Sequence, residues 1–117
     1  MKQYSFEKLI VWQEARVLVK SIYTITRTFP KEEIFGISSQ MRRAAISICS
    51  NIAEGSGRTT KLDQAKFYKI AYSSLLELLN QLIISTDLAF ITDSELIELR
   101  EKIDSKAYKI TSLRNSL

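Results

Sequence analysis

Apolar residues recur along this chain at three- and four-residue steps, the spacing of one face of an α-helix. Val11, Ala15, Leu18, Ile22, Ile25 and Phe29 form one stripe, with Leu9, Trp12, Val19 and Tyr23 beside it. They predict a first helix from about Glu7 to Thr28 with Ser5 as its cap, and a Trp12 that packs. Pro30 stops that helix, and Lys31-Glu32-Glu33 makes an exposed connection. A second, central helix lies within Gly36 to Arg58. Its apolar face is Ile37, Met41, Ala44, Ala45, Ile48 and Ile52, and its polar stripe is Gln40, Arg43, Ser47, Asn51 and Glu54. Ser38 or Ser39 is the expected cap. Gly55-Ser56-Gly57 is the expected closure, with glycine in the left-handed conformation.

The third helix is predicted from about Lys61 to Ala89, with Thr60 as cap and Asp63 completing a capping-box-like pair. Phe67, Ile70, Ala71, Ser74, Leu75, Leu78 and Leu82 form its main stripe, while Leu76, Leu79, Ile83 and Ile84 point elsewhere. The run LLELLNQLII is therefore apolar around most of its circumference. Such a surface asks for a second partner, so self-association through Leu76, Leu79, Ile83 and Ile84 is expected. Thr92-Asp93-Ser94-Glu95 is a capping box opening the last helix. Leu96, Leu99, Ile103, Ala107, Ile110, Leu113 and Leu117 form its stripe, and Glu98, Lys102 and Lys106 are assigned to its wet side. Four helices with short connections predict an all-α, antiparallel up-down-up-down four-helix bundle, a single domain over residues 1–117.

Composition narrows the chemistry. The chain has no His, which removes the usual general base, the Ser-His and Cys-His pairs and most zinc sites. No Gly-Lys-Ser/Thr follows Gly55-Ser56-Gly57, so no phosphate-binding loop is present. A non-enzymatic protein without metal or cofactor is the expectation. The single Cys49 lies among small and apolar residues and reads as a core filler in a reduced, cytoplasmic setting. The start, MKQYSFEKL, lacks the apolar core of a secretory signal, and no apolar run reaches the roughly 18–20 residues of a membrane span.

Charge adds a location. The net charge is +4, and all of the excess lies between Gly36 and Ile70. There Arg42, Arg43, Arg58, Lys61, Lys66 and Lys69 face only Glu54 and Asp63. A basic surface of this kind suits phosphate backbones, with Tyr68 and Tyr72 near enough to stack on bases. Gln40, Arg43, Asn51 and Glu54 are expected to form a polar network, with Arg43 paired to Glu54 or another carboxylate. Two other readings stand beside nucleic-acid binding: a protein–protein scaffold, and a small-ligand bundle using that polar stripe.

Four segments carry a resemblance. They are Phe6 to Ala15 (FEKLIVWQEA), Phe29 to Glu33 (FPKEE), Gln40 to Arg58 (QMRRAAISICSNIAEGSGR) and Phe67 to Glu77 (FYKIAYSSLLE). The chain resembles the four-helix-bundle family encoded in intervening sequences of bacterial 23S rRNA genes, which is similar to the accessory variability determinant of diversity-generating retroelements. The resemblance implies a homo-oligomeric ring, most typically a pentamer. It also implies RNA or DNA as a partner, together with a reverse transcriptase or another protein. The family's name records a gene location and assigns no activity.

Overall fold

Local signals and tertiary packing together set the element boundaries. In a computed structural model describing residues 1–117, the helices are α1 (Ile10–Thr26), α2 (Ile37–Ser56), α3 (Lys61–Asp87) and α4 (Asp93–Asn115), with no strand. Short 3₁₀ turns at Ser5–Lys8 and Lys31–Glu33 flank α1.

The first helix starts later than its periodicity suggests. Leu9 is extended (φ −73°, ψ 123°), which separates the Ser5–Lys8 turn from α1. The break lets Phe6 fold back edge-on against Trp12, with ring centroids 4.9 Å apart. Gln13 then donates to the Glu7 carbonyl (2.8 Å), and Glu7 accepts from the Tyr4 N–H (2.7 Å). Ser5 therefore caps nothing in α1; it opens the 3₁₀ turn.

Both ends of α2 also differ. Gly36, not Ser38 or Ser39, occupies the N-cap, and Ser38 is buried within the first turn. No glycine is left-handed: Gly57 closes α2 in the right-handed region (φ −92°, ψ −3°). Gly55 serves close approach instead. A Cβ there would lie 2.7 Å from Tyr68 Cε1 and 3.0 Å from Phe67 Cβ. The left-handed closure occurs one helix later, at Ala89 (φ 59°). There the Phe90 N–H reaches back to the Ser85 carbonyl (2.9 Å), the long bond that closes a helix end.

The caps of α3 and α4 follow the local sequence. Thr60 Oγ1 accepts from the Asp63 N–H (3.1 Å). Thr92 and Glu95 form the full reciprocal box, at 3.1 and 2.9 Å.

All four helices supply the core, which includes Leu18 and Ile22, Met41, Ile48 and Ile52, Leu75, Leu78 and Leu82, and Ile103 and Ile110. Each such side chain stabilises by about 1.5–3 kcal/mol relative to exposure. On α3, Tyr68, Gln81 and Ser85 are buried, whereas Ile70, expected inside, is exposed. Lys106 is a further correction. Its spacing places it on the wet side of the last helix, yet it is only 4% exposed. Its ammonium donates to the Lys102 carbonyl one turn back (3.2 Å). Burial lowers its pKa, Glu14 opposes that shift, and Lys109 and Lys102 add to it. Lys109 takes Glu14 as its ion-pair partner across the α1–α4 seam. No helix is long and apolar enough to cross a membrane.

Candidate nucleic-acid interface

Six basic residues define the expected surface, and the fold separates them into two groups. Arg42 turns toward α1. Its Nε donates to Thr26 Oγ1 (2.9 Å), and its guanidinium lies 4.7 Å from the Tyr23 ring centroid. A half-buried arginine held this way belongs to helix packing. Arg43, one residue on, is exposed and lines a groove between α2 and α3 with Gln40, Ala44, Ser47 and Glu77.

The other four gather at the opposite end of α2. Arg58 is exposed, with its guanidinium 4.3 Å from the Phe67 ring centroid. Lys61, Lys66 and Lys69 are exposed on the first three turns of α3. Asp63 is the only carboxylate within residues 58–69, and exposed Glu54 stands one turn before Arg58. None of the four is in an ion pair, since Glu14–Lys109 is the one salt bridge in the molecule. This cluster keeps its charge available, while Arg43 stands about 20 Å away along α2 at 1.5 Å per residue.

The expected polar network is replaced by a different one. Arg43 and Glu54 sit eleven residues apart on one helix, about 16 Å along its axis, too far for an ion pair. Gln40 and Glu54 are exposed and bond to neither. Asn51 instead donates to the carbonyl and hydroxyl of Ser47 (2.8 and 3.1 Å), and Ser47 meets Ser74 of α3 at 2.8 Å. The small polar stripe is thus a seam between α2 and α3. One buried acceptor there lacks a partner: Gln81 donates to Glu77 (3.2 Å), but its Oε1 takes no hydrogen bond.

Of the apolar residues assigned to self-association, Leu76 (51% exposed) and Ile84 (41%) face outward, whereas Leu79 leans on the core. Ile83 is half-buried. Cys49 is half-buried against the core, and burial raises its thiol pKa while Arg16 lowers it, so the thiol stays protonated near neutral pH.

A seventh cation, Arg114, joins the cluster only in the folded chain. Lys69 lines a cleft between α3 and α4 that also holds Tyr72 and Arg114. Arg114 lies 45 residues from Lys69, so no local sequence signal joins them.

These helices, with the basic cluster at one end, correspond to a known family. The description "23S rRNA-intervening sequence protein" matches residues 7–112. The chain belongs to that family. A crystal structure of a protein of unknown function from the S23 ribosomal protein family of Bacteroides thetaiotaomicron VPI-5482 shares the fold. Its TM-score is 0.83 at 18% identity, covering 90% of this chain and 98% of that one. No curated protein matches the sequence. Membership fixes the four-helix architecture and leaves the activity of this family member to be argued from its surface.

Proposed function

We propose that this protein is a non-catalytic, cytoplasmic homo-oligomer that binds RNA through the end of the bundle where α2 meets α3. The observation that carries the reading is the cluster of Arg58, Lys61, Lys66 and Lys69, exposed, free of ion pairs and opposed by two carboxylates, Asp63 and Glu54. Four unpaired cations on one small surface attract a phosphate backbone, and each neutralised phosphate releases condensed counterions. The contacts Met41–Ser85, Ser47–Ser74 and Gly55–Tyr68 run in opposite order along α2 and α3, which supports the up-down-up-down arrangement. Outward-facing Leu76 and Ile84 support self-association. The ring, and five as its number, rest on the family resemblance, as does a reverse transcriptase as the first protein partner to try.

The test is sizing by light scattering with and without a structured RNA, at low and moderate salt. The reading expects an assembly larger than a monomer that shifts with RNA. Its log affinity should fall with log salt by roughly 0.7–0.9 per phosphate contacted. Alanine at Arg58, Lys61 and Lys66 together should weaken binding and flatten that slope. An assembly indifferent to RNA would favour the protein-scaffold reading, and a monomer would remove the ring.

A further inference from the structure

The cleft between α3 and α4 has the chemistry of a phosphate subsite. Its two walls each contribute one cation, Lys69 from α3 and Arg114 from α4, and no carboxylate lines it. Neither cation has an ion-pair partner. Hydroxyls surround them: Tyr68, Tyr72, Ser73 and Thr111. Some helical hydroxyls in the bundle are spent on the carbonyl one turn back, as at Thr26, Ser85 and Thr86. Ser73 and Thr111 make no such bond, so their protons remain free. Tyr68 is only 2% exposed and has no hydrogen-bond partner in the protein. Yet its hydroxyl is not sealed off, because Gln81 Oε1 is the only fully buried side-chain polar atom lacking a partner. Burial raises the Tyr68 pKa, which keeps that hydroxyl a donor at neutral pH.

We propose that this cleft holds one backbone phosphate of the bound RNA, gripped by Lys69 and Arg114 from opposite walls, with Tyr72, Ser73 and Thr111 donating to its oxygens. The proposal rests on the RNA-binding reading and extends it to a second helix pair. Size supports a single phosphate: the cavity is about 190 Å³, below the roughly 300–1,000 Å³ of sites that enclose a whole small molecule. Chemistry supports it as well. Arginine's planar fork matches phosphate oxygens, and lysine adds a point charge. Hydroxyl side chains commonly complete backbone contacts in nucleic-acid complexes. Position completes the case, because Lys69 belongs both to this cleft and to the cluster around Arg58. Lys69 is thus the residue at which a backbone lying across that cluster would meet the cleft.

The experiment is fluorescence anisotropy of a structured RNA with the full chain over a salt series. It compares wild type, Lys69→Gln, Arg114→Gln, the double variant, and Arg100→Gln. Arg100 carries the same charge on the same helix, about 21 Å from Arg114 at 1.5 Å per residue. All three positions are exposed, and circular dichroism verifies that each variant folds. Arg114→Gln should lower affinity roughly three- to tenfold while Arg100→Gln stays near wild type. Because both cations serve one phosphate, the double variant should lose about 0.7–0.9 of salt slope, not twice that. If wild type binds RNA and Arg114→Gln matches Arg100→Gln, the cleft proposal is overturned and the functional reading survives. A wild type that ignores RNA overturns both. Inorganic phosphate binding to such an RNA-indifferent chain, lost in Arg114→Gln, also overturns the proposal, since the cleft would then serve a free anion.

Discussion

Replacing Gly55 with Ala sets two effects of opposite sign against each other. In an open helix interior the change stabilises by roughly 0.5–1 kcal/mol, because glycine gives up the most backbone freedom on folding. Gly55 is buried where α2 crosses α3. The added methyl would sit 2.7 Å from Tyr68 Cε1 and 3.0 Å from Phe67 Cβ and Tyr68 Cδ1. Carbon atoms prefer about 3.5–4.0 Å, so the overlap with the ring is about 1 Å. Tyr68 is enclosed and cannot swing aside unless α3 moves from α2. Overpacking of this kind costs about 1–3 kcal/mol, which outweighs the propensity gain and leaves a net loss of about 1–2 kcal/mol. Urea unfolding followed by circular dichroism measures it, at one fixed protein concentration because association would shift the midpoint. Gly57→Ala is the internal control. Its nearest neighbour is Glu54 O at 3.7 Å and its φ is right-handed, so it should be neutral or slightly stabilising. A Gly55→Ala protein as stable as wild type, or more so, refutes the close-approach argument.

Ala89→Gly should raise stability by about 1 kcal/mol, since the left-handed conformation costs other residues roughly 1–2 kcal/mol; the urea midpoint reads it, and no rise would mean that Ala89 is unstrained. Lys106 is depressed in pKa by burial, so the unfolded chain binds its proton more tightly than the folded one. The associated destabilisation is complete below the folded pKa and is relieved as pH climbs to 10.5, the ordinary lysine value. Lys106→Met should thus be more stable than wild type near neutrality, with the gap narrowing in alkali; a pH-independent gap refutes the assignment. Comparison with the variant is needed because raised Cys49 and Tyr68 pKa values erode stability above about pH 9 and 10 in both proteins. Leu76→Glu with Ile84→Glu should yield a folded monomer by light scattering, and an unchanged assembly would place the contact elsewhere.

What the sequence disclosed divides along the range of the interactions involved. Thr60, Thr92 and Glu95 act within one turn, so their caps were legible from neighbours alone. The core stripes of α1 and α4 were legible because a single periodicity sets which face is apolar. Gly55 was misread because a helix-ending glycine and a close-approach glycine look alike until Tyr68 is placed beside it. Leu9 breaks the first helix so that Phe6 can reach Trp12, a tertiary gain that overrides local propensity. Lys106 looked wet because lysine usually is; its long stem lies in the seam while its ammonium returns to a backbone carbonyl. The polar stripe of α2 was correctly seen as polar, but its partners sit on α3, where Ser74 could not be paired from spacing. Arg114 escaped notice for the same reason.

The doubled arginine is the most conspicuous basic feature of the chain, yet the fold makes it the weakest part of the proposed RNA surface. Consecutive helical residues point about 100° apart at 3.6 residues per turn. Arg42 accordingly meets Thr26 and Tyr23 on α1, and Arg43 opens onto the α2–α3 groove, where Glu77 shares the lining. Arg58 and Lys69 lie at the far end of α2, and Arg114 lies across the cleft from Lys69. A backbone held by that end meets Arg114 well before it could reach Arg43, about 20 Å back along α2. Beyond about 8–10 Å an exposed charge is largely screened at physiological salt, so distance alone removes most of what Arg43 could add. Arg43→Gln should therefore leave RNA affinity within about twofold of wild type and keep the salt slope unchanged, whereas Arg114→Gln lowers both. If Arg43→Gln weakens binding as much as Arg114→Gln, the RNA runs along the side of α2, and the end of the bundle is not its site.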